Sequence, residues 1–148
     1  MTAANERPAH IDVTQEAGMR FFGNPDSGRV VMLNLLKFRD VADYADFPDL
    51  APDAPISGAQ AYDRYMKATA PFLAASGGQL LFAGSAGSFL IGPEDEDWDF
   101  VMLVEQASRQ AFMAFASDPE YLKIVGHRSA AIADSRLLPI IPSEDPLG

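Results

Sequence analysis

The chain has 148 residues, 48% of them hydrophobic and 22% charged, with a formal net charge of −10 and a sequence pI of about 4.4. That length can bury a real core as one domain, and so acidic a chain is repelled by phosphate backbones, which removes nucleic acid from the expected partners. The absence of cysteine removes disulfides, thiolate zinc sites and cysteine nucleophiles, and two histidines, His10 and His127, are too few for a histidine-built metal site.

Met1 to His10 lacks a basic segment followed by an apolar one, and no apolar run approaches the roughly 20 residues of a membrane helix. A cytoplasmic protein with no membrane partner is expected. Residues 1–29 read as an N-terminal extension with one short helix. Thr14 caps that helix, which runs to Phe22 with Ala17 on its inner side and Met19, Phe21 and Phe22 as anchors. Gly23-Asn24-Pro25-Asp26-Ser27-Gly28 is a turn signal that ends it.

Val30 to Arg39 is the densest apolar run and reads as a buried strand. Val30, Met32, Asn34, Leu36 and Phe38 share one face; Val31, Leu33, Leu35, Lys37 and Arg39 share the other. Asp40 to Ile56 is acidic and proline-rich, a long loop expected as a solvated insertion. Ser57 and Gln60 have capping-box spacing, and the helix they open carries Tyr62, Tyr65, Met66, Thr69 and Leu73 on one stripe. Pro71 bends its last turns, and Gly77-Gly78 stops it.

Gln79 to Ile91 reads as one or two strand segments kinked at Gly84 and Gly87, and Asp99 to Glu105 as the returning strand. Ser108 caps a helix carrying Ala111, Phe112 and Phe115. Ser117 restarts a helix whose inward stripe is Tyr121, Ile124, Val125, Arg128 and Ile132. Arg136 to Ile141 closes the pattern as a strand, and residues 142–148 form a tail. With the first helix set aside, the order predicts an α+β, ferredoxin-like split βαβ sandwich over residues 30–141. Helices cover one face of its antiparallel sheet. The other face stays apolar, and a second copy packed against it would bury it, so a homodimer is expected.

Several of these stretches carry a family likeness: Tyr62 and Tyr65, Gly77-Gly78, Ser117-Asp118-Pro119-Glu120-Tyr121, Arg128, Ala131 and Asp134-Ser135-Arg136-Leu137. Over Val30 to Ile141 the chain resembles the dimeric α/β-barrel superfamily and is most similar to an uncharacterised bacterial family of unknown function within it. The resemblance implies the fold and the dimer and carries over no activity. Relatives in the superfamily include cofactor-independent monooxygenases, haem-degrading enzymes and isomerases, whose pockets lie between sheet and helices. The haem-degrading pattern of asparagine, tryptophan and histidine is met in part, by Asn34 and His127. The tryptophan position falls nearer Gln106, while Trp98 begins the strand.

The expected function is binding of an apolar or aromatic metabolite by a homodimer, and the resemblance implies that any catalysis would be cofactor-free, like that of the monooxygenases and isomerases. Asn34, Tyr62, Tyr65, Trp98 and Tyr121 are the expected ligand-binding residues, with no metal and no cofactor. Arg128, a guanidinium on an inward stripe, would anchor a carboxylate or oxyanion, and His127 would carry a proton. The alternatives are a non-catalytic interaction module, in which Arg128 is held by an internal salt bridge to Asp99 or Asp63, and a haem-binding protein.

Overall fold

The structure, a computed structural model, describes residues 8–145 and 147. In chain order the elements are α1 (Gln15–Phe22), β1 (Val30–Phe38), a 3-10 turn (Pro48–Leu50), α2 (Gly58–Ala75), β2 (Gln79–Ser85), β3 (Phe100–Gln106), α3 (Arg109–Ala116), α4 (Pro119–Leu122), α5 (Gly126–Ala131) and β4 (Ile132–Ile140). The sheet order is β2-β3-β1-β4 with every neighbouring pair antiparallel. This is the ferredoxin-like α+β sandwich, with β1 between β3 and β4.

Register decides which face of β1 meets the helices. Asn34 pairs with Met102 and Leu137, and Leu36 with Phe100 and Ser135. Leu36, Met102 and Ile132 join Tyr62, Tyr65, Phe115 and Tyr121 in one core, so the even-numbered face of β1 lies under the helices. The odd-numbered face, Val31, Leu33 and Leu35 beside Val101, Leu103, Leu138 and Ile140, contributes nothing to that core. Among the described residues no helix is long and apolar enough to cross a membrane.

Local signals act where expected at three helix starts. Thr14 accepts from the Ala17 amide at 3.1 Å, Ser108 from Ala111 at 2.9 Å, and Ser57 with Gln60 forms the full capping box. Gly77 takes φ 81°, the left-handed stop of α2, which itself continues past Pro71 to Ala75.

Other expectations are corrected. Asp118, not Ser117, caps α4 by accepting from the Glu120 amide at 2.8 Å, while the Ser117 hydroxyl donates back to the Met113 carbonyl. The helix expected from there through Ile132 is two short helices, and β4 begins at Ile132 rather than Arg136. Strand β2 ends at Ser85; beyond it Leu90 and Ile91, 100% and 93% exposed, ride on a projecting hairpin joined by a bridge between Ser88 and Asp97. Met19 faces solvent, whereas Phe21 and Phe22 pack on Phe112 of α3. The acidic loop is tethered, not simply solvated. Tyr44 is buried, Phe47 and Leu50 pack on the core, and backbone bonds join Ala42 to Ile56 and Asp43 to Ala130.

Candidate functional site

Helix α2 presents Tyr62 and Tyr65 one turn apart toward the sheet, and α4 adds Tyr121. Their rings pack in series, with centroids 5.2 Å apart for Tyr62–Tyr65 and 6.3 Å for Tyr65–Tyr121. The Tyr65 and Tyr121 hydroxyls share a hydrogen bond of 2.7 Å, and all three side chains are buried. Burial pushes the Tyr62 and Tyr121 hydroxyls well above the ordinary tyrosine value; the neighbouring phenols add to this, and the positive charge of Arg128 pulls both back down. Tyr62 and Tyr121 are therefore neutral hydrogen-bonding groups, not anions or bases.

Arg128, on α5, is half-buried beside them. Its Nη1 donates to the Ile11 carbonyl at 2.9 Å. The carboxylates expected to pair with it are engaged elsewhere: Asp63 binds Lys67 at 2.8 Å, and Asp99 accepts from the Phe38 amide at 2.7 Å. Among the described residues no carboxylate lies within 4.0 Å of the Arg128 guanidinium. Ile11 also packs against the core. His10, next to it, is held at both backbone groups, its amide by Asp134 Oδ1 at 2.8 Å and its carbonyl by Ser135 Oγ at 2.6 Å.

His127 turns to a different partner. Its Nδ1 is 2.8 Å from the hydroxyl of Tyr44, an aromatic residue in an acidic loop that no local spacing links to α5. Burial, helped by the charge of Arg64, lowers the His127 pKa below its ordinary 6.5. The imidazole is thus neutral at pH 7. As pH falls below 6.5, the unfolded chain takes up the proton first, so stability present at higher pH drains away toward the depressed folded value. Thermal unfolding of His127→Gln between about pH 7.5 and pH 5 should show a shallower fall than the wild type. Parallel curves would place the pH dependence on other groups.

Asn34 is half-buried on the helix-side face, and its amide donates to the Met32 carbonyl of its own strand at 3.2 Å. Trp98 is buried in another setting. Its Nε1 donates to Glu96 at 2.9 Å, and the Arg136 guanidinium sits 4.9 Å from the ring centre. Arg136 shares the register of Leu35, which puts this stack with the open face of the sheet. The structure thus gathers Tyr62, Tyr65, Tyr121 and Arg128, while Asn34, Trp98 and His127 make their polar contacts elsewhere. Sequence reasoning missed Tyr44, Ser135 and the His10–Ile11 segment; Tyr44 was signalled only as an aromatic in an otherwise wet loop.

The space expected to hold a ligand beside Arg128 is occupied by protein, the tyrosine rings and Ile11. An open depression of about 500 Å³ lies instead on the wet side of α2, lined by Ile56, Ala59, Gln60, Asp63, Arg64 and Lys67. Among the described residues no three histidine or carboxylate side chains converge where a metal ion could be held.

The sequence of the family described as a domain of unknown function, DUF1330, matches residues 52–139. No curated protein matches. The crystal structure of methylated RPA0582 protein is 37% identical, with a TM-score of 0.83 over 95% of this chain and 98% of that one. A second structure, the RPA0582 protein of unknown function from Rhodopseudomonas palustris, is also 37% identical, with a TM-score of 0.82 over 93% of this chain and 99% of that one. A dimeric ferredoxin-like protein of unknown function from Thermobifida fusca is similar at 14% identity and a TM-score of 0.45, over 80% and 97% of the two chains. With the family match spanning more than half of its length and 37% identity over nearly all of it, the chain belongs to the DUF1330 family.

Proposed function

We propose that the protein is a homodimeric small-molecule-binding protein whose ligand is held by Tyr62, Tyr65, Tyr121 and Arg128, in the place that Ile11 fills in the closed chain. One observation carries the reading: a half-buried guanidinium with no carboxylate among the described residues, set beside buried phenols. A cation in such a place calls for an anion or a group of oxygens, and a single backbone carbonyl answers only part of its five-donor fork. The aromatic walls suit a flat apolar body attached to that anionic group. Binding is better supported than catalysis. His127, the residue suited to moving a proton, has one ring nitrogen engaged by Tyr44, and the neutral Tyr62 and Tyr121 are poor bases.

The dimer is supported by the uncovered sheet face, which is too apolar to stand in water alone. The site is tested by titrating the isotopically labelled protein with benzoate, an aromatic carboxylate, and following amide and side-chain resonances. Shifts centred on Tyr65, Tyr121 and Arg128 are expected. A titration that moves only residues of the α2 depression, or none, would reject this place as the site and favour a protein–protein interaction module with a structural Arg128.

A further inference from the structure

The place beside Arg128 is filled by the chain's own segment around Ile11. Three contacts hold that segment in place. The His10 amide donates to Asp134 Oδ1, the Ser135 hydroxyl donates to the His10 carbonyl, and Arg128 donates to the Ile11 carbonyl. Between them Ile11 packs its side chain against the core. His10 is exposed, and beyond Ile11 the next residues, Asp12 to Glu16, are exposed as well. Among the described residues, the segment is tied to the body by the Ile11 side chain and these three hydrogen bonds.

We propose that His10–Asp12 is a displaceable strap, in which the Ile11 carbonyl holds the place of a ligand carboxylate at Arg128 and the Ile11 side chain holds the place of the ligand's apolar body. This rests on the reading of the place beside Arg128 as a binding site and adds how that site opens. A carbonyl carries only a partial negative charge, whereas a carboxylate offers two oxygens and a full charge in the fork geometry that guanidinium prefers. Exchange of one for the other improves the pairing of Arg128 while moving a few residues whose far side is already in water. The ligand must also replace Ile11 against the core, so small carboxylates without an apolar body are excluded by the same strap that a larger one displaces. The cost of displacement lowers the apparent affinity of the closed protein.

The test uses the full-length protein and benzoate. Hydrogen exchange at the His10 amide, protected by Asp134 in the free protein, should accelerate on saturation while the Arg128 region stays protected. In parallel, Ser135→Ala removes one anchor of the strap without touching the proposed site and should tighten benzoate binding roughly five-fold, the equivalent of one ordinary hydrogen bond. Arg128→Gln should abolish binding in both backgrounds, with circular dichroism reporting that each variant is folded. If benzoate binds at Arg128 but His10 stays protected and Ser135→Ala binds no tighter, the strap is a fixed part of the fold and the inference is overturned, with the site itself intact. If benzoate fails to bind wild type and Ser135→Ala alike, the place beside Arg128 is not a carboxylate site and both readings fall together.

Discussion

Leu138→Asp should leave the chain folded and convert it to a monomer. Leu138 is 57% exposed in the isolated chain, so the substitution disturbs no internal packing. It pairs with Leu33 in the middle of the open face, flanked by Leu103 and, across it, Phe82. The ends of that face are polar and internally neutralised. Arg29 binds Glu105 at 2.6 Å at one end; at the other Lys37 binds Asp97 at 2.6 Å and Arg136 binds Asp134 at 2.8 Å. An apolar centre with a charged rim is the anatomy of an interface, and paired rim charges let two copies of a chain with net charge −10 approach each other. Two-fold symmetry would bury the new carboxylate twice, each at several kcal/mol, which weakens association by about 100-fold or more. Light scattering at micromolar concentration should give a dimer mass for wild type and for Val13→Asp, a change at an exposed apolar site elsewhere, and a monomer mass for Leu138→Asp. A persistent dimer would move the interface off the sheet.

How much of this was legible in the sequence depended on distance along the chain. The caps at Thr14, Ser57 and Ser108 involve partners three residues away, and they could be read from spacing alone. The sheet order followed from the sequence of periodic segments. What failed was set by contacts from far away. The helix expected from Ser117 through Ile132 is interrupted before Gly126, where an added Cβ would meet Phe47 at 2.6 Å and Leu50 at 2.8 Å; the loop from residue 40 onward packs into the break. Leu90 and Ile91 look like strand residues by type, but the chain has left the sheet at Ser85. The Tyr44–His127 bond joins residues 83 apart, and no periodicity announces it. Arg128 was correctly placed inward, yet its partner is a main-chain carbonyl, a group that every residue carries and no motif marks.

The largest stability effect from a single methyl group is expected at Gly58, the residue that ties α2 to β1 and α5. Here three segments meet: the Gly58 amide donates to the Arg39 carbonyl at 2.9 Å, and the Arg39 amide donates to the Ala131 carbonyl at 2.8 Å. The end of β1, the start of α2 and the end of α5 are thereby held to backbone contact, which sets Tyr62 and Tyr65 against Arg128. A Cβ at Gly58 would lie 2.5 Å from the Ala131 oxygen and 2.7 Å from the Arg39 nitrogen, and would overlap the Arg39 carbonyl. These are main-chain atoms, so no side chain can rotate away to make room. Gly58→Ala should destabilise the protein by about 3 kcal/mol, the upper range for an overpacked site, and lower the melting temperature by roughly 10 °C. Gly87→Ala is the matched control, because a Cβ there meets nothing within 4 Å and should shift stability by less than about 0.5 kcal/mol. Equal melting temperatures for the two variants would show that α2 and α5 can separate at little cost. The tyrosines would then not be held at a fixed distance from Arg128, and the proposed site would lose the rigid frame that preorganised binding of a carboxylate requires.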